Sequence, residues 1–204
     1  MIDGCLTPEE LLASAKQGDS LAMGRLLELY RNYLDLLGRL HLGRLLQSKV
    51  DSADLVQDAF LDAHRQFSHF RGASEGEFIA WLRQILAGNL ANLVRRYKGT
   101  QGRDVRLERQ LADELDQSSR ALQQNLAATQ STPSQRAVRR ESEVLLADAL
   151  GQLREDFRDV IILHHLEGLT FPETAQRMGR TVDSVKHLWA PALAQLRRHL
   201  GELP

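Results

Sequence analysis

Residues Leu169 to Trp189 read LTFPETAQRMGRTVDSVKHLW, and this stretch decides the fold. Thr170 is placed to cap a short helix, and Glu173, three residues on, completes a capping box. Gly179 supplies the left-handed residue that ends that helix. Thr181 then caps a second one. Ala175 is small where two crossing helices need close approach. Val185 and Leu188 follow at offsets of ten and thirteen, facing back toward a core. A small residue, a turn glycine and two apolar anchors at these intervals describe a helix-turn-helix at about residues 170–190. The second helix then turns Asp183, Ser184, Lys186 and His187 outward, where a major groove could be read. Arg177 and Arg180 stand nearby for phosphates, and Arg197 and Arg198 extend the basic surface. Pro191 falls inside the second helix, so a bend or a restart is expected there.

Outward from this motif the chain stays helical. Leu, Ala, Gln, Arg and Glu dominate, glycine and proline are sparse, and no run alternates with the period of a strand. The fold class is therefore all-α. Helix starts are legible at Thr7-Pro8-Glu9-Glu10, at Asp19 or Ser20 (a segment through about Leu46), at Asp51-Ser52-Ala53-Asp54 (to about His69) and at Ser74-Glu75-Gly76-Glu77. After the last, Phe78, Trp81, Leu82, Ile85, Leu86, Leu93 and Val94 mark one helix face to about Lys98. Residues 19–98 thus form one small helical domain. Residues 99–133 are rich in Gln, Ser and Arg and lack aromatics. The preferred reading is a flexible linker, although the spacing of Leu107, Leu111 and Leu115 leaves a marginal helix open. A second helical domain spans residues 134–200, starting near Thr132-Pro133-Ser134 and containing the helix-turn-helix.

Composition bounds the function. The chain has 204 residues, 43% of them hydrophobic and 26% charged, with a net charge of -1 and one cysteine, Cys5. No intramolecular disulfide can form, and a reducing cytoplasm is expected. There is no signal-peptide pattern and no apolar run long enough to span a bilayer, so no membrane insertion is expected. His164 and His165 are adjacent and diverge by about 100° on a helix, and His64 and His69 are five apart, so neither is a good chelating pair. No glycine-rich phosphate loop is present. No metal, cofactor or catalytic residue is expected.

The segment Asp54-Leu55-Val56-Gln57-Asp58-Ala59-Phe60 puts Asp54, Gln57 and Asp58 on one helix face, with Leu55 and Val56 beside it. Alone this describes a solvated face. Its order does more. DLVQDAF, HFRG, FIAWLRQIL, a basic LVRRYK, a linker and then the helix-turn-helix resemble the extracytoplasmic-function class of bacterial sigma factors across nearly the whole chain. The resemblance implies a sigma region 2 domain, a linker and a sigma region 4 domain, with core RNA polymerase and promoter DNA as partners and an anti-sigma factor as a common third. By this match Asp54, Leu55, Val56, Gln57, Asp58 and Phe60 bind the polymerase clamp. The stretch Phe70 to Glu77 resembles the loop that receives a flipped base of the minus-ten element. Arg71, Arg83, Gln84, Asn89, Arg95, Arg96 and Lys98 contact that region. The helix-turn-helix reads the minus-thirty-five element. The rival reading is a helix-turn-helix regulator that binds duplex DNA without polymerase; it leaves DLVQDAF unexplained.

Overall fold

The computed structural model describes residues 6–46, 51–98, 105–127 and 142–202. Cys5, the expected domain start at Thr132-Pro133-Ser134 and the side chain of Lys98 lie outside the described residues. All regular structure among them is helical, and the chain divides into two units, Met1–Ala121 and Leu122–Pro204.

The first unit opens with α1 (Pro8–Lys16) and α2 (Ser20–Glu28). The Thr7–Glu10 capping box forms in both directions, at 2.8 and 3.2 Å. Asp19 accepts the amides of Leu21 and Ala22 to start α2. The sequence reading carries one helix from here to Leu46. Instead a turn at Leu29–Tyr30 separates α2 from α3 (Arg31–Leu46). The break lets α2 pack on α1 while α3 packs on α4 (Ser52–Gln66) and α5 (Glu75–Lys98). Tyr30 sits at the turn, fully buried, with its hydroxyl donating to Glu75 at 2.8 Å. No glycine or proline marks this break, because tertiary packing of Tyr30 imposes it.

The core of this unit gathers Tyr30, Tyr33, Leu34, Leu37, Phe78, Ile79, Leu82, Leu86 and Leu90. Each such side chain contributes roughly 1.5–3 kcal/mol when fully withdrawn from water. Of the expected α5 face, Phe78, Leu82, Ile85, Leu86 and Val94 are buried, whereas Trp81 and Leu93 lie half-buried at its edges.

The preferred reading of residues 99–133 as a flexible linker is corrected over residues 105–127; 99–104 and 128–133 lie outside the described residues. Val105–Ala127 form a continuous helix, α6, and its residues as far as Ala121 belong to the first unit. Leu111, Ala112, Leu115, Ser119 and Leu122 bury one face of it. That pattern is the every-fourth-residue leucine signal carried forward. The polar opposite face gives the segment its linker-like composition.

The second unit comprises α7 (Ser142–Gly151), α8 (Glu155–Val160), a wide helical turn over Ile161–Leu166, α9 (Phe171–Met178) and α10 (Val182–Glu202). Val144, Ala147, Leu150, Val160, Ile161, Ala175, Val185 and Ala192 form its core. Arg158 ties α8 back to the end of α7. Its guanidinium donates to the carbonyls of Leu150, Gly151 and Leu153, each at 3.0 Å, satisfying acceptors that a helix C-terminus leaves open. The helix expected to bend or restart at Pro191 does not restart: α10 continues through it. Pro191 is exposed, where the carbonyl it leaves without a donor can be hydrated.

Candidate nucleic-acid interface

On α4, Asp51 caps the helix through the Ala53 amide at 2.9 Å. Leu55 and Val56 are 3% and 1% exposed and fasten the helix to the core. Their burial turns Asp54, Gln57 and Asp58 to solvent together. Leu55 and Val56 are thus placed as the internal support of that face rather than on it. Phe60 is half-buried beneath the Arg31 guanidinium, 4.9 Å from its ring centre. Arg31 in turn is held by Glu28 at 2.6 and 2.8 Å. Leu61 carries no distinguishing signal in the sequence. It stands 50% exposed, three and four residues beyond Asp58 and Gln57, and so adds an apolar member to their face.

After α4 a short turn, Phe67–His69, leads into an extended loop. Phe67, Phe70, Phe78 and Trp81 form one aromatic cluster, with ring centres 5.0 to 6.4 Å apart. Gly72 fits because it has no side chain: a Cβ there would lie 2.4 Å from the Phe70 ring and 2.8 Å from Glu77 Cβ. Lys16 reaches across from α1, donating to the Gly72 carbonyl and lying 5.5 Å over the Phe70 ring. Glu77 closes the loop by accepting from the Ala73 amide at 2.8 Å and from the Ser74 amide and hydroxyl at 3.0 Å. These bonds, the backbone amides foremost, hold its carboxyl below the usual glutamate range. The result is a braced loop beside a cleft of about 510 Å³ that Lys16, His64, Phe67, Phe70 and the exposed Arg71 help to line.

The residues expected on α5 divide. Trp81, Gln84, Asn89 and Arg95 line one groove of about 400 Å³, with Asp62 of α4 and Glu108 of α6 on its rim. Within it Asn89 donates to the Ile85 carbonyl at 3.1 Å and Arg95 donates to Asn92. Arg96 is exposed. Arg83 lies elsewhere. Its side chain is 14% exposed and paired with Asp116. It also donates to the Tyr33 hydroxyl at 3.0 Å and to Ser119 at 3.4 Å. As folded, Arg83 joins α3, α5 and α6 and is not displayed for a phosphate. No sequence signal ties it to partners 33 and 50 residues away.

In the second unit the expected helix-turn-helix is present. Thr170 and Glu173 form their capping box, with Glu173 held below its ordinary range by the Thr170 hydroxyl and amide. Gly179 takes φ 63°, and the Arg180 amide then reaches back to the Ala175 carbonyl at 2.9 Å. The Thr181 hydroxyl accepts the Ser184 amide at 3.2 Å. Val185 is wholly buried and Leu188 half so. Asp183, Lys186 and His187 therefore face solvent on the first turns of α10, with Ser184 half-buried between them. Arg177 lies 3.9 Å from Glu167 and Arg180 lies 3.6 Å from Asp156. These are long ion pairs that leave both cations beside the exposed face. His164, a poor metal ligand by its spacing, orders the approach to α9. Its Nδ1 lies 2.6 Å from the Leu169 carbonyl, and its ring stacks on Phe171 at 4.0 Å and meets the edge of Trp189 at 4.7 Å.

Comparison with known proteins agrees with this division. The sigma-70 region 2 family matches residues 29–100 and the sigma-70 region 4 family matches residues 143–196. The chain is 30% identical over 182 residues to the ECF RNA polymerase sigma-E factor of Haemophilus influenzae, covering 89% of this chain and 88% of that one. It is 30% identical over 183 residues to the ECF RNA polymerase sigma-E factor of Escherichia coli, covering 89% and 87%. It is 27% identical over 179 residues to the RNA polymerase sigma-H factor of Pseudomonas aeruginosa, covering 87% and 86%. The chain belongs to the extracytoplasmic-function family of RNA polymerase sigma factors. Its function is that of a sigma factor: it directs RNA polymerase to promoters for transcription initiation, and its partners are core polymerase and promoter DNA. The reading as a regulator independent of polymerase is not favoured. Among the described residues no helix is long and apolar enough to cross a membrane.

Proposed function

We propose a division of that work among the elements described. The exposed face of α4, with Asp54, Gln57, Asp58 and the added Leu61, engages core polymerase. The loop Phe70 to Glu77 and the groove of Trp81, Gln84, Asn89 and Arg95 take the non-template strand of the minus-ten element. The first turns of α10 read the minus-thirty-five element, with Arg177 and Arg180 on phosphates. The work is binding and strand separation in the cytoplasm, with no covalent step.

The observation that carries this reading is the α4 face. Burial of Leu55 and Val56 leaves two carboxylates, an amide and a leucine aimed outward from one rigid helix. Such a face suits a partner that presents basic and apolar groups together. The braced loop supports the second assignment. Holding a base out of the stack costs a few kcal/mol, which a preformed cleft offsets without first ordering itself.

The test is promoter-specific transcription by core polymerase, lacking its own sigma factor, on a promoter library. The parent chain should yield specific transcripts. Asp54→Arg combined with Gln57→Ala should weaken core binding by about 2 kcal/mol or more, the scale of an interface hot spot, and abolish the transcripts. Normal core binding and transcripts from that variant would remove α4 from the interface.

A further inference from the structure

The helix α6 covers part of the α5 surface assigned above to promoter DNA. Its fastenings are side chains rather than close backbone approach. Arg83 pairs with Asp116. The Tyr33 hydroxyl donates to Ser119 at 3.1 Å. The buried His41 ring lies 3.2 Å from the Ser118 hydroxyl and 3.9 Å from Glu114. Beneath them sit a few apolar groups, Leu111, Ala112 and Leu115. Carboxylates of α6 also border the α5 grooves. Glu108 shares one with Trp81, Asn89 and Arg95, and Glu108 and Asp113 share another with Gln84 and Gly88.

A guanidinium binds a carboxylate and a phosphate through the same donors, so the two compete for one site. A helix that sets carboxylates against Arg83 and the Arg95 groove therefore occupies positions where backbone phosphates of a single strand would lie. We propose that α6 is a removable cover. In the free chain it holds the α5 face that single-stranded promoter DNA takes in the polymerase complex, with the contact of Arg83 to Asp116 and Ser119 as its fastening. The proposal rests on the assignment of α5 to the minus-ten strand. Arg83 is then a positioning residue for α6 in the free chain, and α6 and the strand exclude one another. By linkage, whatever lifts α6 strengthens strand binding by the same factor that the strand weakens α6 seating.

The experiment uses the full chain, with Asp116→Asn/Ser119→Ala to undo the fastening. Leu115→Glu serves as a second variant, to drive α6 off whatever holds it. Amide hydrogen exchange over residues 108–122 reports the cover. Fluorescence anisotropy with a mixed-sequence single-stranded 20-mer at low salt reports strand binding, and core polymerase binding is measured in parallel. Both variants should exchange faster in α6 while α3, α4 and α5 keep their protection. Both should bind the 20-mer roughly fivefold tighter or more and bind core polymerase like the parent. Faster exchange with unchanged or weaker strand binding overturns the proposal, as does unchanged exchange in the first variant. Failure of the parent and both variants to bind core polymerase would instead strike the α4 assignment, which this measurement reads separately.

Discussion

At the scale of single residues, Gly72, Arg83 and Glu77 carry more than composition suggests. Gly72 lies where a methyl group would enter the Phe70 ring. Gly72→Ala should cost about 1–3 kcal/mol through forced repacking, seen as a lower Tm, and should disorder the loop ahead of α5. Arg83 reads from sequence as a phosphate ligand, and the fold ties it to Tyr33, Asp116 and Ser119. A true phosphate ligand replaced by Ala lowers the salt dependence of single-strand binding by about 0.7 in log–log slope. Arg83→Ala removes the partner of Asp116 and should speed amide exchange in α6, whereas Arg96→Ala, at an exposed cation, should lower that slope. Glu77 adds a pH dependence. Its folded-state pKa is depressed below the ordinary glutamate value of 4.5 by the Ala73 and Ser74 bonds. The bracing is therefore complete above that value and is lost as pH falls through the depressed one. The protection factors of the Ala73 and Ser74 amides, each referred to the unfolded chain at the same pH, should fall as the pH drops through that depressed value.

At the scale of elements, Arg158 is the joint of the second unit. It donates to the Leu150 and Gly151 carbonyls at the end of α7 and to the Leu153 carbonyl just beyond it. A hydrogen bond from a charged donor is worth about 1.5–3 kcal/mol, and bonds made by one side chain do not add. Arg158→Ala should therefore destabilise this unit by about 2–4 kcal/mol, well below three times the single-bond figure. Thermal unfolding followed at Trp189 would measure it. Elements also show how far the sequence can be read. Capping chemistry locates α1, α4, α5, α9 and α10, because Thr7, Asp51, Ser74, Thr170 and Thr181 act on amides two or three residues away. The helix-turn-helix is legible for the same reason: Gly179 and Val185 are local requirements. What is not legible depends on distant partners. The break at Tyr30 answers to Glu75, and the fate of Arg83 answers to α6. The helical state of α6 itself hangs on a face that closes only against α3 and α5, so a leucine every fourth residue in polar sequence reads as marginal.

At the scale of the whole molecule, two units with separate cores predict two separable pieces. Residues 6–127 expressed alone should unfold cooperatively and bind core polymerase. Residues 142–202 alone should give a helical spectrum with its own unfolding transition. A piece 6–104 that lacks α6 should be less stable than 6–127, because the apolar surface that Leu111 and Leu115 bury would then face water. In sequence, α6 lies between the segments matched to sigma-70 regions 2 and 4. As helix, its 23 residues measure about 35 Å end to end. Drawn out fully, the same residues would reach about 80 Å, so coiling them into α6 takes up more than half of their contour length.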